Sequence, residues 1–197
     1  MSRGQYQLAT KDAIYSDGLR YRPATASLGA LRAYLPGIKK VLVLGAGVGS
    51  MITTMRAKGY YPHFTLVDND KVILKWAIEC LDDEYISSIA PVCMDALSFI
   101  EENTSKFDLV FIDIFIGRVV PDFVITEEFL TQCRNSLSVG GHLVFNYIIN
   151  DQHQWDSVKS ICGNIFTGQQ IIDLGSNQII IASDSKNSPF GAQEELL

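Results

Sequence analysis

Long apolar runs are missing from this chain of 197 residues. No stretch approaches the roughly 18 consecutive apolar residues of a membrane span, and no charged-then-apolar leader heads the sequence. A soluble, cytoplasmic protein with no membrane partner is therefore expected. Positive charge is scarce too: 16 Lys and Arg stand against 22 Asp and Glu, a formal net charge of −6. A nucleic-acid backbone calls for a basic stripe, and the sole adjacent basic pair, Lys39-Lys40, precedes a strand-like run, so no nucleic-acid partner is expected. The four cysteines (Cys80, Cys93, Cys133, Cys162) are far apart and form no C-x-x-C. They exclude a zinc ribbon or a disulfide framework and read as small hydrophobes in a reducing compartment. The histidines, His63, His142 and His153, have no metal-ligand spacing, so no metal is expected. Against these absences, 47% hydrophobic and 19% charged residues suffice for one well-filled core.

Glycine is concentrated where it carries meaning. Val41-Leu42-Val43-Leu44 runs into Gly45-Ala46-Gly47-Val48-Gly49-Ser50, and a helix-like stretch, 50–58, follows. Four apolar residues ending on such a cluster read as a buried parallel strand turning sharply into a helix. The backbone N–H groups of the turn are then aimed at whatever lies above it. A second apolar stretch, Phe64-Thr65-Leu66-Val67, closes on Asp68. That separation is close to the roughly 20 residues at which nucleotide folds place a ribose-binding carboxylate. The pair predicts an adenosine-containing cofactor. A dinucleotide turn keeps glycine at its first, third and sixth positions, and here the sixth is Ser50. The G-x-G-x-G form suits an adenosyl sulfonium, which has no pyrophosphate to cradle; a dehydrogenase is the minor alternative.

Patterning divides the chain into a short hairpin and helix (1–36), a cofactor-binding domain (37–184) and a polar tail (185–197). In the first part, 5–8 and 12–15 pair as a hairpin. Pro23 and Thr25 then introduce a helix from about 26 to 34, which Pro36-Gly37 stops. Strands at 41–44, 64–67, 89–94, 109–112 and 142–146 alternate with helices at 50–58, 72–81, 96–102 and 127–137, the last ended by Gly140-Gly141. A helix around 155–166 precedes two apolar runs, 170–174 and 178–182, split by Gly175-Ser176-Asn177. That split reads as an antiparallel hairpin. The expected class is α/β: a three-layer, Rossmann-like class I methyltransferase fold, with a seven-stranded, mostly parallel sheet closed by the C-terminal hairpin.

In an open α/β sheet, ligands lie beyond the carboxyl ends of the strands. Reading each strand at its last residue brings Gly45, Asp68, Asp95, Asp113 and Asn146 to one edge. Asp68 is the acceptor expected for ribose hydroxyls. Asp95-Ala96 is expected at an adenine, although Asp95 equally suits the N-cap of the following helix. Asp70 reads as a helix cap. Asp113 ends the very apolar run Leu109-Val110-Phe111-Ile112, where lost solvation raises a carboxyl pKa. It is the candidate to orient or deprotonate a nucleophile.

In order and spacing these segments resemble the spermidine synthase family within the class I methyltransferase superfamily. Gly45-Ala46-Gly47-Val48-Gly49-Ser50 stands at the family's G-G-G-D-G-G turn and Asp68 at its acidic residue after the second strand. Met94-Asp95-Ala96 stands at its G-D-A/G segment, and Phe107 to Asp113 at its Y-D-x-I-x-x-D run. Glu128-Phe129-Leu130 and Leu137-Ser138-Val139-Gly140-Gly141 complete the series. The resemblance implies S-adenosylmethionine, or its decarboxylated form, as cofactor. Gly45, Ala46, Gly47 and Gly49 would hold its amino-acid part, Asp68 and Asn69 the ribose, and Asp95 and Ala96 the adenine, with Asp113 as the catalytic carboxylate. Segment 14–21 resembles the short piece preceding the fold in this family, which implies that Tyr15 and Tyr21 face the substrate. As bare residues, both also read as exposed hairpin tyrosines.

Two departures stand out. Val48 replaces the turn Asp that contacts the aminopropyl amine, and Ile116 replaces the second Asp that grips the diamine. Each lost anion removes a charge-assisted bond of roughly 1.5–3 kcal/mol to a dication. Arg118 adds a positive charge that suits an anionic acceptor. The family's large N-terminal β-domain has no counterpart in these residues. The expected activity is therefore methyl transfer to a small molecule or an exposed side chain. Aminopropyl transfer and non-catalytic nucleoside binding are the alternatives. The apolar loop 114–124 reads either as closing over a substrate or as an interface in a homodimer.

Overall fold

The computed structural model describes residues 7–9, 14–81 and 83–184, the side chains of 14–15 and 83–85 excepted. The expected polar tail, 185–197, lies outside the described residues.

Alternation along the central strand sets the layers. In β3 (Lys40–Leu44), Val41 and Val43 face one core, while Leu42 and Leu44 face the other. The first core is covered by α1 (Arg22–Ala30), α2 (Ser50–Ala57) and α3 (Lys71–Glu79), through Leu28, Met51 and Leu74. The second is covered by α4 (Ala96–Glu102), α5 (Glu127–Asn135) and α6 (Gln152–Ile165), through Ile100, Phe129 and Trp155. Both faces of the sheet are thus buried, which is why its strands read as unbroken apolar runs.

The remaining strands of the main sheet are β4 (His63–Asp68), β5 (Ile89–Cys93), β6 (Phe107–Ile112), β7 (Leu137–Ile148), β8 (Gly168–Asp173) and β9 (Asn177–Ser183). They lie in the order β5-β4-β3-β6-β7-β9-β8. Pairing is parallel except along β9, which is antiparallel to both β7 and β8. The expected α/β class and its closing hairpin are what the chain adopts. From β3 the chain steps outward to β4 and β5, then returns to lay β6 on the other side of β3. Strand order reverses between β3 and β6, and there an open sheet holds its ligand.

Three local expectations need correction. The first helix begins at Arg22, not near residue 26, with Pro23 inside its first turn, where a missing N–H costs nothing. The N-terminal hairpin, of whose expected strands 5–6 and 12–13 lie outside the described residues, takes in Ala9 and Ser16: β1 (Leu8–Ala9) pairs with β2 (Ile14–Ser16), Leu8 opposite Ser16. Gly140-Gly141 does not end a helix. It lies within β7, where the pairing with β6 jumps from Phe107–Leu137 to Leu109–His142, a bulge. Gly140 takes a φ of 76° there.

Two side chains tie distant segments to this frame. Ser16 and Ser50 share a hydrogen bond through their hydroxyls, and Asp17 N–H donates to Ser50 Oγ, which fastens the N-terminal hairpin to the first residue of α2. At the opposite edge of the sheet, Asp108 Oδ2 accepts from the backbone N–H groups of Lys39 (2.8 Å) and Lys40 (2.9 Å) and pins the start of β3. Asp108→Ala is expected to cost on the order of 1–2 kcal/mol by urea unfolding, with nucleoside binding unchanged, because both bonds lie far from the strand exits. No helix among the described residues is long and apolar enough to cross a membrane.

Candidate functional site

The turn after β3 is left-handed at every second residue, with φ of 91° at Gly45, 49° at Gly47 and 80° at Gly49. That alternation is the physical content of the G-x-G-x-G pattern. Gly45 has a further constraint, since a Cβ there would lie 2.2 Å from the carbonyl oxygen of Asp113. The ends of β3 and β6 therefore touch backbone to backbone.

Above this junction lies a cleft of about 480 Å³. Of the expected cofactor residues, Gly45, Gly47, Asp68, Asn69, Asp95 and Ala96 line it, and Asp113 lines it as well. Ala46 and Gly49 do not. Ala46 is buried, its N–H donating to Asp68 Oδ2 at 3.0 Å, and Gly49 is the N-cap residue of α2. Asp68 Oδ1 accepts from Asp70 N–H at 3.0 Å, so both oxygens are anchored from behind. Burial raises the Asp68 carboxyl pKa, and the two N–H bonds hold it down in part. Asp95 caps α4, its Oδ1 accepting from Leu97 and Ser98 N–H, while still lining the cleft. Asp70 caps α3, as its position suggests.

Asp113 is held by two side chains. Tyr21 Oη donates to its Oδ1 at 2.9 Å, and Asn146 Nδ2 donates to the same oxygen at 2.7 Å. Both bonds fall on Oδ1. Burial pushes the carboxyl up from 3.8 to about 6, and the Asn146 and Tyr21 bonds oppose the rise. Burial and the Asp113 charge in turn raise the Tyr21 hydroxyl well above its ordinary value. Tyr21 is thus not an exposed hairpin residue. It is 6% exposed and precedes α1, 92 residues from its partner. The Tyr15 side chain lies outside the described residues.

Arg118 is not brought to the cleft. It is exposed at the tip of a tight turn closed by two backbone bonds between Ile116 and Val119. Val48 is buried and does not line the cleft, whereas Ile116 does, at 74% exposure. Ile114, Phe115, Pro121 and Phe123 make the same wall apolar. Among the described residues no cluster of His, Cys, Asp and Glu could hold a metal ion. Sequence reasoning put Asn146 at the right edge without a role, and missed Asn177, whose Nδ2 donates to Asn146 Oδ1 at 2.9 Å. The available signal was a lone amide in the otherwise apolar run Leu143-Val144-Phe145-Asn146-Tyr147-Ile148.

No family model matches the chain. Among curated proteins it is similar to a polyamine aminopropyltransferase of Vibrio vulnificus, 24% identical over 75% of this chain and 51% of that one. It is also similar to an N-terminal histidine N-methyltransferase of Emericella nidulans, 23% identical over 76% of this chain and 29% of that one. Among solved structures, a probable spermidine synthase from Corynebacterium glutamicum superposes with a TM-score of 0.74 at 21% identity. It covers 92% of this chain and 80% of its own. The sequence is similar to aminopropyltransferases, and the fold is the one that spermidine synthases share. The same fold is shared with human methyltransferase-like protein 13, solved in complex with SAH, at a TM-score of 0.72 and 18% identity over 85% of this chain and 83% of that one. The chain spans about half the length of the Vibrio relative and less of the Emericella one.

Proposed function

We propose that the chain transfers a group from an adenosyl sulfonium, S-adenosylmethionine or its decarboxylated form, to a nucleophile held against Asp113. The observation that carries this reading is the Asp113 carboxylate itself. It stands at the strand-order reversal beside the glycine turn, with two protein donors on one oxygen and the other oxygen left for a substrate proton.

The residues fit such a ligand. Each oxygen of Asp68 keeps a lone pair beyond its backbone bond, enough for two ribose hydroxyls. Gly45 and Gly47 line the cleft without a side chain to fill it, and Asp95-Ala96 lines it too. When bound, the sulfonium supplies its own leaving group, so the chain has only to orient and to move a proton. Tyr21 and Asn146 fix Asp113 through Oδ1. Oδ2 takes the proton of the attacking amine or hydroxyl. An acid limb near pH 6 is expected in the rate, because only the ionised carboxyl can accept that proton.

On the transferred group the relatives favour the alternative, aminopropyl transfer, over the expectation from residues. The Vibrio relative is named for aminopropyl transfer, which supports the decarboxylated cofactor and an amine acceptor. Methyl transfer is the second reading, supported by Val48 and Ile116 in place of the two anions and by the Emericella relative. Calorimetric titration with S-adenosylmethionine, its decarboxylated form and methylthioadenosine separates the two. Tighter binding of the decarboxylated form, with an aminopropylated product from a polyamine pool, is the expected result. Preference for the carboxylated form moves the assignment to methyl transfer, and absence of binding by all three rejects the proposal.

A further inference from the structure

The hydrogen-bond chain behind Asp113 has a direction, and we propose that Asn177 sets it. By donating to Asn146 Oδ1, Asn177 is a positioning residue that turns the Asn146 amide so its NH2 faces Asp113. The consequence for turnover rests on the function proposed above; the positioning itself does not.

Asn146 is fully buried near the end of β7. A primary amide in such a place has two orientations, related by exchanging its oxygen and nitrogen. In one, Nδ2 donates to Asp113 Oδ1 at 2.7 Å and to Tyr21 Oη at 3.2 Å, while Oδ1 accepts from Asn177 Nδ2 at 2.9 Å. In the other, a carbonyl oxygen would face the carboxylate and an NH2 would face the Asn177 NH2. The contacts to Asp113 and to Asn177 would both be repulsive. Asn177 decides between them from its own side: its backbone is fixed where it opens β9 opposite Ile148 of β7 and accepts from Leu174 N–H across the β8–β9 turn, and its side-chain Oδ1 faces the Ser176 hydroxyl at 3.4 Å, which leaves Nδ2 for Asn146. The C-terminal hairpin thereby reaches the site in the middle of the sheet.

Directly against Asp113 stand Tyr21, ahead of α1, and Asn146 from β7. The other acidic groups of the cleft are Asp68 at the end of β4 and Asp95 ahead of α4, and the Asp17–Arg20 pair lies in the turn before Tyr21. Within this set, Asn146 acts on the carboxyl with a sign that depends on which way its amide points. With NH2 inward it favours the carboxylate; with C=O inward it favours the acid.

The test is a 13C-carboxyl NMR titration of Asp113 in the full chain without ligand. The wild-type midpoint is expected at about 6. In Asn177→Asp the new carboxylate only accepts, draws the Asn146 NH2 to itself and presents the carbonyl to Asp113. The midpoint should rise by about one unit or more, roughly tenfold in proton affinity. Asn150→Asp makes the same exchange on an exposed residue just beyond β7, whose amide is bonded to the Arg118 carbonyl rather than to Asn146, and should raise it by no more than about 0.3. Equal shifts in the two variants, or none in Asn177→Asp, overturn the proposal. If Asn177→Asp does not fold, Asn177→Leu serves instead. The Asn146 side-chain NH2 protons should then exchange measurably faster than in wild type, and unchanged protection overturns the proposal. In turnover, the acid limb of kcat should follow the NMR midpoint with KM for the sulfonium unchanged. A midpoint that moves while the limb stays leaves Asn177 its positioning role and removes Asp113 from the transfer step.

Discussion

Asp113→Asn is expected to make the protein more stable and inactive at once. The carboxyl is raised from 3.8 to about 6 in the folded chain, so between those values the folded state holds more protons than the unfolded one. Stability therefore falls as pH rises through that window, and at pH 7 the ionised group costs on the order of 2–3 kcal/mol. An asparagine keeps the accepting oxygen for Tyr21 and Asn146 and carries no charge. Thermal unfolding at pH 7 should shift up by roughly 4–10 °C, and the gain should vanish near pH 4. Turnover should drop by roughly 10²–10⁴ for loss of the proton acceptor. Calorimetry across pH 4 to 8 checks the first half, and curves for the two proteins that coincide at all pH values would refute the raised carboxyl.

Gly45→Ala should be the most damaging change in the chain. A Cβ there meets the Asp113 carbonyl oxygen at 2.2 Å and its carbon at 2.7 Å, both backbone atoms, at a φ of 91°. No rotamer relieves that overlap; β3 and β6 must part. A loss above about 4 kcal/mol in urea unfolding is expected, with no nucleoside binding in whatever remains folded. Gly49→Ala supplies the contrast. Its φ of 80° is equally left-handed, but the nearest atom to a Cβ is 3.6 Å away. That variant should lose only about 1–2 kcal/mol, the cost of the backbone conformation alone.

Much of the scaffold is legible because local rules and tertiary context agree. Residues 96–102 read as a helix and form one, since Asp95 supplies its cap and Ala96 and Ile100 its buried face. The strands read correctly because a sheet covered on both sides tolerates little but apolar residues. Failures cluster where one residue type serves two purposes. Pro23 reads as introducing a helix from about 26 yet sits in the first turn of one that starts at Arg22, and Gly140-Gly141 reads as a helix stop yet absorbs a bulge. At the site, the carboxylates announce themselves by standing at strand ends. Their partners do not, because Tyr21 and Asp113 are 92 residues apart and Asn146 and Asn177 are 31 apart. No periodicity links such pairs; only the closed sheet brings them together.

Ser50 has one more consequence. It stands where a dinucleotide-binding turn would keep its third glycine, the residue that lets helix and strand close on each other around a pyrophosphate. Here the hydroxyl at that place is committed to Ser16 and Asp17. Ser16 and Asp17, which lead into Tyr21, are thereby moored to the start of α2. A Ser50→Gly exchange would remove both bonds and cast adrift the segment that carries Tyr21 to Asp113.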